Sequence, residues 1–271
     1  PSLVGAEMCI RDRESPRERL IAILTNSFVP CNGRFPTLMA MILIFFIPAA
    51  SPVRTLAAGA VLTGFILLGI IVTLLMSKLL SSTILKGIPS SFILELPPYR
   101  VPKAGSVIIR SIRDRTVFVL GRAIAVAAPF GIVIWILANI KIGSVSILDH
   151  CTDFLDPFGR LIGVDGVIVM AFILGFPANE IVIPVMLMSY MSSGVLTDYS
   201  SLSQLQDILA GCGWTFRTAL CVAILCLFHF PCGTTCLTVK KETGSLKWTA
   251  CAFLLPTLTG IMLCMVINIL F

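Results

Sequence analysis

GFPANEIVIP, residues 175–184, sets a glutamate, Glu180, inside an otherwise uncharged run. The fourteen residues from Gly166 to Asn179 and the seventeen from Ile181 to Thr197 carry no Asp, Glu, Lys or Arg. A charged side chain near the centre of a bilayer costs about 3 kcal/mol on insertion scales, so Glu180 calls for a partner or a task. Gly175 and Pro177 interrupt any helix just ahead of it. Broken backbone at membrane depth is tolerated only where it is buried in protein or lines a cavity.

The surrounding composition supports a bilayer. Of the 271 residues 57% are hydrophobic and 13% charged, with mean hydropathy +0.99, whereas a soluble domain carries about 25% charged residues. A helix needs about 20 apolar residues to cross the hydrocarbon. Phe35–Val53, Thr55–Ser77, Thr218–Val239 and Trp248–Phe271 contain no Asp, Glu, Lys or Arg, and Thr116–Ile140 contains only Arg122, near enough to its start to snorkel. The expected fold is therefore an all-α polytopic membrane protein with re-entrant or broken segments. The ten cysteines show no secreted framework and read mostly as small buried hydrophobes. The net charge of +6 lies in loops, where it signals orientation and not a nucleic-acid surface.

Between Lys78 and Arg115 seven Lys or Arg face Glu95 and Asp114, which marks a cytoplasmic segment; Lys141–Asp165 has two basic residues against four aspartates, which suits the outside. Lys240, Lys241 and Lys247 mark a second cytoplasmic turn. Were Gly166–Tyr190 a single crossing, Met191–Gly213 would be cytoplasmic, yet it holds Asp198 and Asp207 and no Lys or Arg. A hairpin entering over Val167–Leu174, turning at Gly175-Phe176-Pro177 and leaving over Ile181–Tyr190 keeps both flanks outside. A second break lies in HFPCGTT, His229–Thr235, eight residues above Lys240 at Cys232 and hence ~12 Å deep if helical. Interrupted helices bearing polar groups near the midplane are the usual sequence sign of a transporter site.

The chain divides into five parts. Residues 1–13 read as a non-native or disordered N-terminus, 14–85 as a region with two spans, 86–115 as a Pro-rich and basic cytoplasmic connector, 116–165 as a central span and external loop, and 166–271 as a region of broken helices. No HExxH, GxSxG or GxxxxGK[ST] motif occurs, so hydrolytic and nucleotide chemistry are not expected of this chain, and an intramembrane protease lacks a Ser-His or paired-Asp set. The candidate site residues are Glu180, a hard oxygen donor or a proton carrier, its neighbour Asn179, and Cys232, which follows Pro231 and precedes Gly233 at a bend. Cys31, in PCNGRFP, has the same local setting. Thiolate with carboxylate or carbonyl oxygen suits an intermediate ion such as Fe2+. His229 fits an interhelical hydrogen bond better than a ligand role. The alternative is a proton- or sodium-coupled permease for a small organic solute, with Glu180 titrating and the cysteines as packing.

RERLIAILTNSFVPCNGRFP, LELPPYRVPK, LGFPANEIVIP, GWTFRTAL and HFPCGTTCLTVKKETGSLKWT, in this order from about Arg17 to the C-terminus, resemble the ferrous iron transport protein B (FeoB) family. The resemblance implies two nucleoside-transporter-like gate regions, over 14–85 and 166–271, in the bacterial cytoplasmic membrane. It implies Fe2+ as the transported ion, with Cys31 and Cys232 at positions of family iron-ligating cysteines. A third family cysteine, in a Gly-Cys-Asn-Val-Pro motif, has no counterpart here. GTP would act only through an N-terminal GTPase domain outside this sequence, and no cofactor is expected in the chain. Partners would be that GTPase domain, a small FeoA-like protein, the lipid bilayer and a second copy of the chain.

Overall fold

The computed structural model describes residues 15–47, 53–83 and 116–270, with Gly105 and Ile109. The N-terminal segment 1–13, the turn bearing Pro48, Ser51 and Pro52, and the connector 86–115, apart from those two residues, lie outside the described residues.

The described chain is almost wholly helical. It runs through α1 (Pro16–Thr25), α2 (Phe35–Met41) with its looser continuation Ile42–Phe46, α3 (Arg54–Ser82) and α4 (Phe118–Asn139). A two-residue hairpin, β1 (Lys141–Ile142) with β2 (Val145–Ser146), leads into α5 (Ile147–Leu161), α6 (Gly166–Leu174), α7 (Val182–Tyr190) and α8 (Leu202–Gly211). The chain ends with α9 (Phe216–Phe228), α10 (Gly233–Thr243) and α11 (Leu246–Leu270). Four helical runs are long and apolar enough to cross a membrane, namely Arg17–Phe46, Arg54–Ser82, Phe216–Thr243 and Leu246–Leu270. Helix α4 is apolar over Ala123–Asn139. This is an all-α polytopic membrane protein, and the exposed leucines and isoleucines of α3, α4 and α11, such as Leu74, Ile132 and Leu258, are lipid-facing surface.

Polar contacts at helix ends sort the molecule into two faces. On one, Arg17 donates to Ser81 Oγ (2.5 Å) and Arg19 pairs with Glu242 (2.7 Å), which joins the start of α1 to the ends of α3 and α10. On the other, Asn139 at the end of α4 donates to Gly194 O (2.8 Å), and Asn268 near the end of α11 donates to Arg160 O (3.0 Å). These contacts set the basic Lys240–Lys241 end opposite the aspartate-rich segment around Asp165, as the charge pattern predicts.

Helices α5 and α6 meet at 108°, and α6 and α7 then fold back on each other. Asp165 caps α6, one oxygen accepting from Ile168 N (2.8 Å) and the other from the hydroxyl of Tyr190, the last residue of α7. Trp214 Nε1 donates to the same hydroxyl (3.0 Å). The beginning of α6, the end of α7 and the start of α9 therefore share one face, the geometry of a re-entrant hairpin. A hydrogen bond to a charged group contributes about 1.5–3 kcal/mol. Tyr190→Phe is expected to destabilise the hairpin by about 2 kcal/mol, read as a lower thermal midpoint in detergent and faster amide exchange over residues 182–190.

Candidate functional site

Pro231 has no amide hydrogen and disfavours helix at Phe230, so α9 stops at Phe228 and His229 and Cys232 are extended (ψ 173 and 160). The break leaves carbonyls of the last turn without helical donors inside an apolar surround. Arg34 supplies them. Its guanidinium is buried at 2% exposure and donates through Nη1 to Leu227 O (2.8 Å) and through Nη2 to His229 O (3.0 Å) and Phe230 O (3.3 Å). Nη1 also donates to Ser27 O (3.0 Å) in the first break, where α1 gives way to short turns at Asn26–Phe28 and Asn32–Arg34. One side chain thus ties two interruptions that lie far apart in sequence. Arg34 Nε is buried without a hydrogen-bond partner, and among the described residues no carboxylate pairs with Arg34.

The hairpin tip is the third interruption. Phe176 O accepts from Gly233 N (2.8 Å), which sets the tip at the depth of the Cys232 break. The approach is close, for a Cβ on Gly233 would lie 2.9 Å from the Phe176 ring. From the tip, Asn179 reaches both other breaks, its Oδ1 3.1 Å from His229 Nε2 and its Nδ2 3.7 Å from Cys31 Sγ. His229 Nδ1 lies 3.1 Å from both Leu225 O and Cys226 O. Two carbonyls can only accept, so the neutral ring carries its proton on Nδ1 and leaves Nε2 as an acceptor. A half-turn of the Asn179 amide, whose O and N are assigned by their partners, then gives His229 the NH2 donor it needs and turns the oxygen toward Cys31.

The three breaks enclose a cavity of ≈170 Å³ lined by Cys31, Arg34, Asn179, Cys232, Ser27 and Thr235, among others. Cys232 Sγ lies 3.1 Å from Thr234 Oγ1 and 3.2 Å from Thr235 Oγ1. Of the four residues singled out from sequence, Cys31, Asn179 and Cys232 line this cavity. Glu180 is not among its lining residues, while its neighbour Asn179 is. Neighbours on the tight turn Asn179–Ile181 point apart, so Asn179 is buried while Glu180 is exposed against Gly33, where an added Cβ would lie 3.3 Å from Glu180 Cγ. Helix α10 starts directly after Cys232, with Cys236 N bonded to Cys232 O (3.0 Å), so the helix is continuous through Gly-Thr-Thr; Cys236 Sγ turns to Pro231 O (3.6 Å). All nine described cysteines are free. Among the described residues no three His, Cys, Asp or Glu are gathered into a metal-binding group.

Sequence reasoning missed Arg34, Ser27 and Thr235. The signal for Arg34 was present, since a lone cation at the edge of an apolar run falls under the same rule that singled out Glu180.

Crossing helices interrupted by a re-entrant hairpin and two breaks that meet over one polar cavity define a polytopic membrane protein of the gate type. Residues 120–246 match the Gate family, described as nucleoside recognition, and residues 62–113 match the family described as ferrous iron transport protein B C terminus. An Fe(2+) transporter FeoB of Staphylococcus aureus is 30% identical over 269 residues, covering 96% of this chain and 38% of the relative. One of Leptospira interrogans is 26% identical, covering 94% and 39%. An Fe(2+) transport protein A/Fe(2+) transporter FeoB fusion protein of Porphyromonas gingivalis is 25% identical, covering 90% and 33%. No solved structure matches. The chain belongs to the ferrous iron transport protein B family, and it spans less than two fifths of the length of these curated relatives.

Proposed function

We propose that this chain forms the ion-conducting membrane portion of an Fe2+ importer in the bacterial cytoplasmic membrane, with residues 14–85 and 166–271 as its two gate regions. The ion passes the cavity held by Cys31 and Cys232, with the amide oxygen of Asn179 as a third donor. Glu180, beside Gly33, offers a carboxylate at the approach to Cys31. The observation that carries this reading is that Cys31 and Cys232, from opposite ends of the chain, line one cavity beneath the hairpin tip. Thiolate sulfur with amide oxygen is a mixed soft and hard donor set, suited to an ion of intermediate character such as Fe2+. The partners this reading entails are a cytoplasmic GTPase domain, a small FeoA-like protein and further copies of the chain, the second supported by the fused relative.

Anaerobic radio-iron uptake by the protein expressed from its complete reading frame tests the reading. Cys31→Ser and Cys232→Ser are each expected to lower uptake about ten-fold or more at equal expression, because serine replaces a soft ligand by a hard, neutral one. Glu180→Gln is expected to reduce uptake by less, about two- to three-fold, the loss of one screened charge at an approach. Unchanged uptake in both cysteine variants would sink the assignment, and uptake of an organic solute unaffected by Fe2+ would replace it with the solute-permease reading.

A further inference from the structure

The cavity walls contain a fixed positive charge that the transport reading does not use. Arg34 is buried, lines the cavity with Cys31 and Cys232, pairs with no carboxylate among the described residues and spends its Nη groups on neutral carbonyls. A guanidinium keeps its charge at any working pH. For a pathway that carries a divalent cation this is unfavourable, because like charges repel strongly where water is scarce.

We propose that Arg34 is a specificity-determining residue, a charge filter that admits a divalent cation only when the cation is neutralised by thiolate ligands. This rests on the assignment of Cys31 and Cys232 as ligands. A thiophilic cation that displaces the two thiol protons to water is held by two thiolates as a neutral unit, on which Arg34 exerts little net repulsion. A hard cation such as Mg2+ or Ca2+ prefers oxygen and binds thiolate weakly. The oxygens available in this cavity, from Asn26, Ser27, Asn179, Thr235 and the backbone, are all neutral. A hard cation held by them keeps its full double charge beside the guanidinium. The penalty therefore falls on the hard cation and spares the soft one, so the charge discriminates where a uniform repulsion would not.

Substituting Arg34 itself would also release the carbonyls it holds, so the test neutralises its charge from the cavity wall. Ser27, whose carbonyl already accepts from Arg34, lines the cavity, as does Thr235 across the site at Cys232. In Ser27→Asp and Thr235→Asp a carboxylate cancels the guanidinium, while Ser27→Asn and Thr235→Asn offer a similar oxygen without charge. The protein from its complete reading frame, in proteoliposomes under anaerobic conditions, is assayed for Fe2+ uptake against rising Mg2+ or Ca2+, and for protection of Cys31 and Cys232 from a thiol-alkylating reagent by each ion alone.

The wild type and both Asn variants are expected to ignore a large excess of Mg2+ or Ca2+. At least one Asp variant is expected to be inhibited by these ions at a concentration lower by ~10-fold or more. The filter is overturned if Mg2+ or Ca2+ protects the wild-type cysteines as Fe2+ does, if the Asp variants that reach the membrane discriminate like the wild type, or if an Asn variant loses discrimination as fully as its Asp counterpart. Failure of the ligand assignment is separate and would show as Fe2+ protection of Cys232 persisting in Cys31→Ser, with uptake intact.

Discussion

Arg34→Met is expected to prevent recovery of folded protein, or to lower its stability by about 4 kcal/mol or more, because four buried carbonyls lose their donor together. Each unsatisfied buried acceptor costs about 1–3 kcal/mol, and Ser27, Leu227, His229 and Phe230 all present one to the guanidinium. Methionine fills much of the volume, so the loss is polar and not one of packing. Arg34→Lys is expected to fall between the two, since an ammonium carries three donors on a point charge and cannot reproduce a planar fork reaching two breaks. Thermal unfolding of detergent-purified protein, matched for expression, measures the order. Equal midpoints for Met and wild type would show that water reaches these carbonyls.

Gly166→Ala is expected to be nearly as damaging despite adding a single methyl group. Gly166 opens α6 directly after the bend from α5, its amide donating to Asp156 Oδ1 (3.1 Å). A Cβ there would overlap the carbonyl oxygen of Thr152 and stand 2.8 Å from Asp156 N, all backbone of the facing helix. The fit is reciprocal, since a Cβ on Gly159 of α5 would come within 2.7 Å of the Asp165 carbonyl carbon. Backbone cannot rotate aside as a side chain does, so the helices must separate. Overpacking of this kind costs about 1–3 kcal/mol and more where nothing yields, which sets the expectation at about 3 kcal/mol or above. Gly131→Ala and Gly211→Ala, where nothing lies within 4 Å, serve as controls and are expected to be neutral or mildly stabilising in their helices. A fluorescence-detected size-exclusion profile with a melting curve separates the three.

Much of the architecture was legible because the bilayer imposes a simple rule on sequence. The uncharged runs Thr55–Ser77, Thr218–Val239 and Trp248–Phe271 fall on helical runs long enough to cross, whereas Thr116–Ile140 gives an apolar helix over only Ala123–Asn139. The remaining crossing run, Arg17–Phe46, begins in the charged stretch ahead of Phe35. The aspartates of Met191–Gly213 argued, as the hairpin geometry bears out, that Gly166–Tyr190 returns to the face it left. Proline and glycine at 175–177 and 231–233 marked two interruptions, and these meet where Gly233 N donates to Phe176 O. Orientation of side chains within those interruptions was not legible. Periodicity assigns faces only where the period is constant, and the turn at Asn179–Ile181 breaks it, so Asn179 points in and Glu180 points out. Nor could sequence show that Arg34 is spent on carbonyls, because those acceptors exist only once α9 has stopped at Phe228.

That last dependence bears on how the protein is made. The residues Arg34 bonds at the second break lie 193 to 196 positions further along the chain. During synthesis the first helices are already in the bilayer while α9 is still within the ribosome. Until its carbonyls arrive, a newly inserted Arg34 has only Ser27 O as a partner among the four it will hold. The cation is therefore a late-satisfied group, whose bonds at the second break form only after α9 has been made.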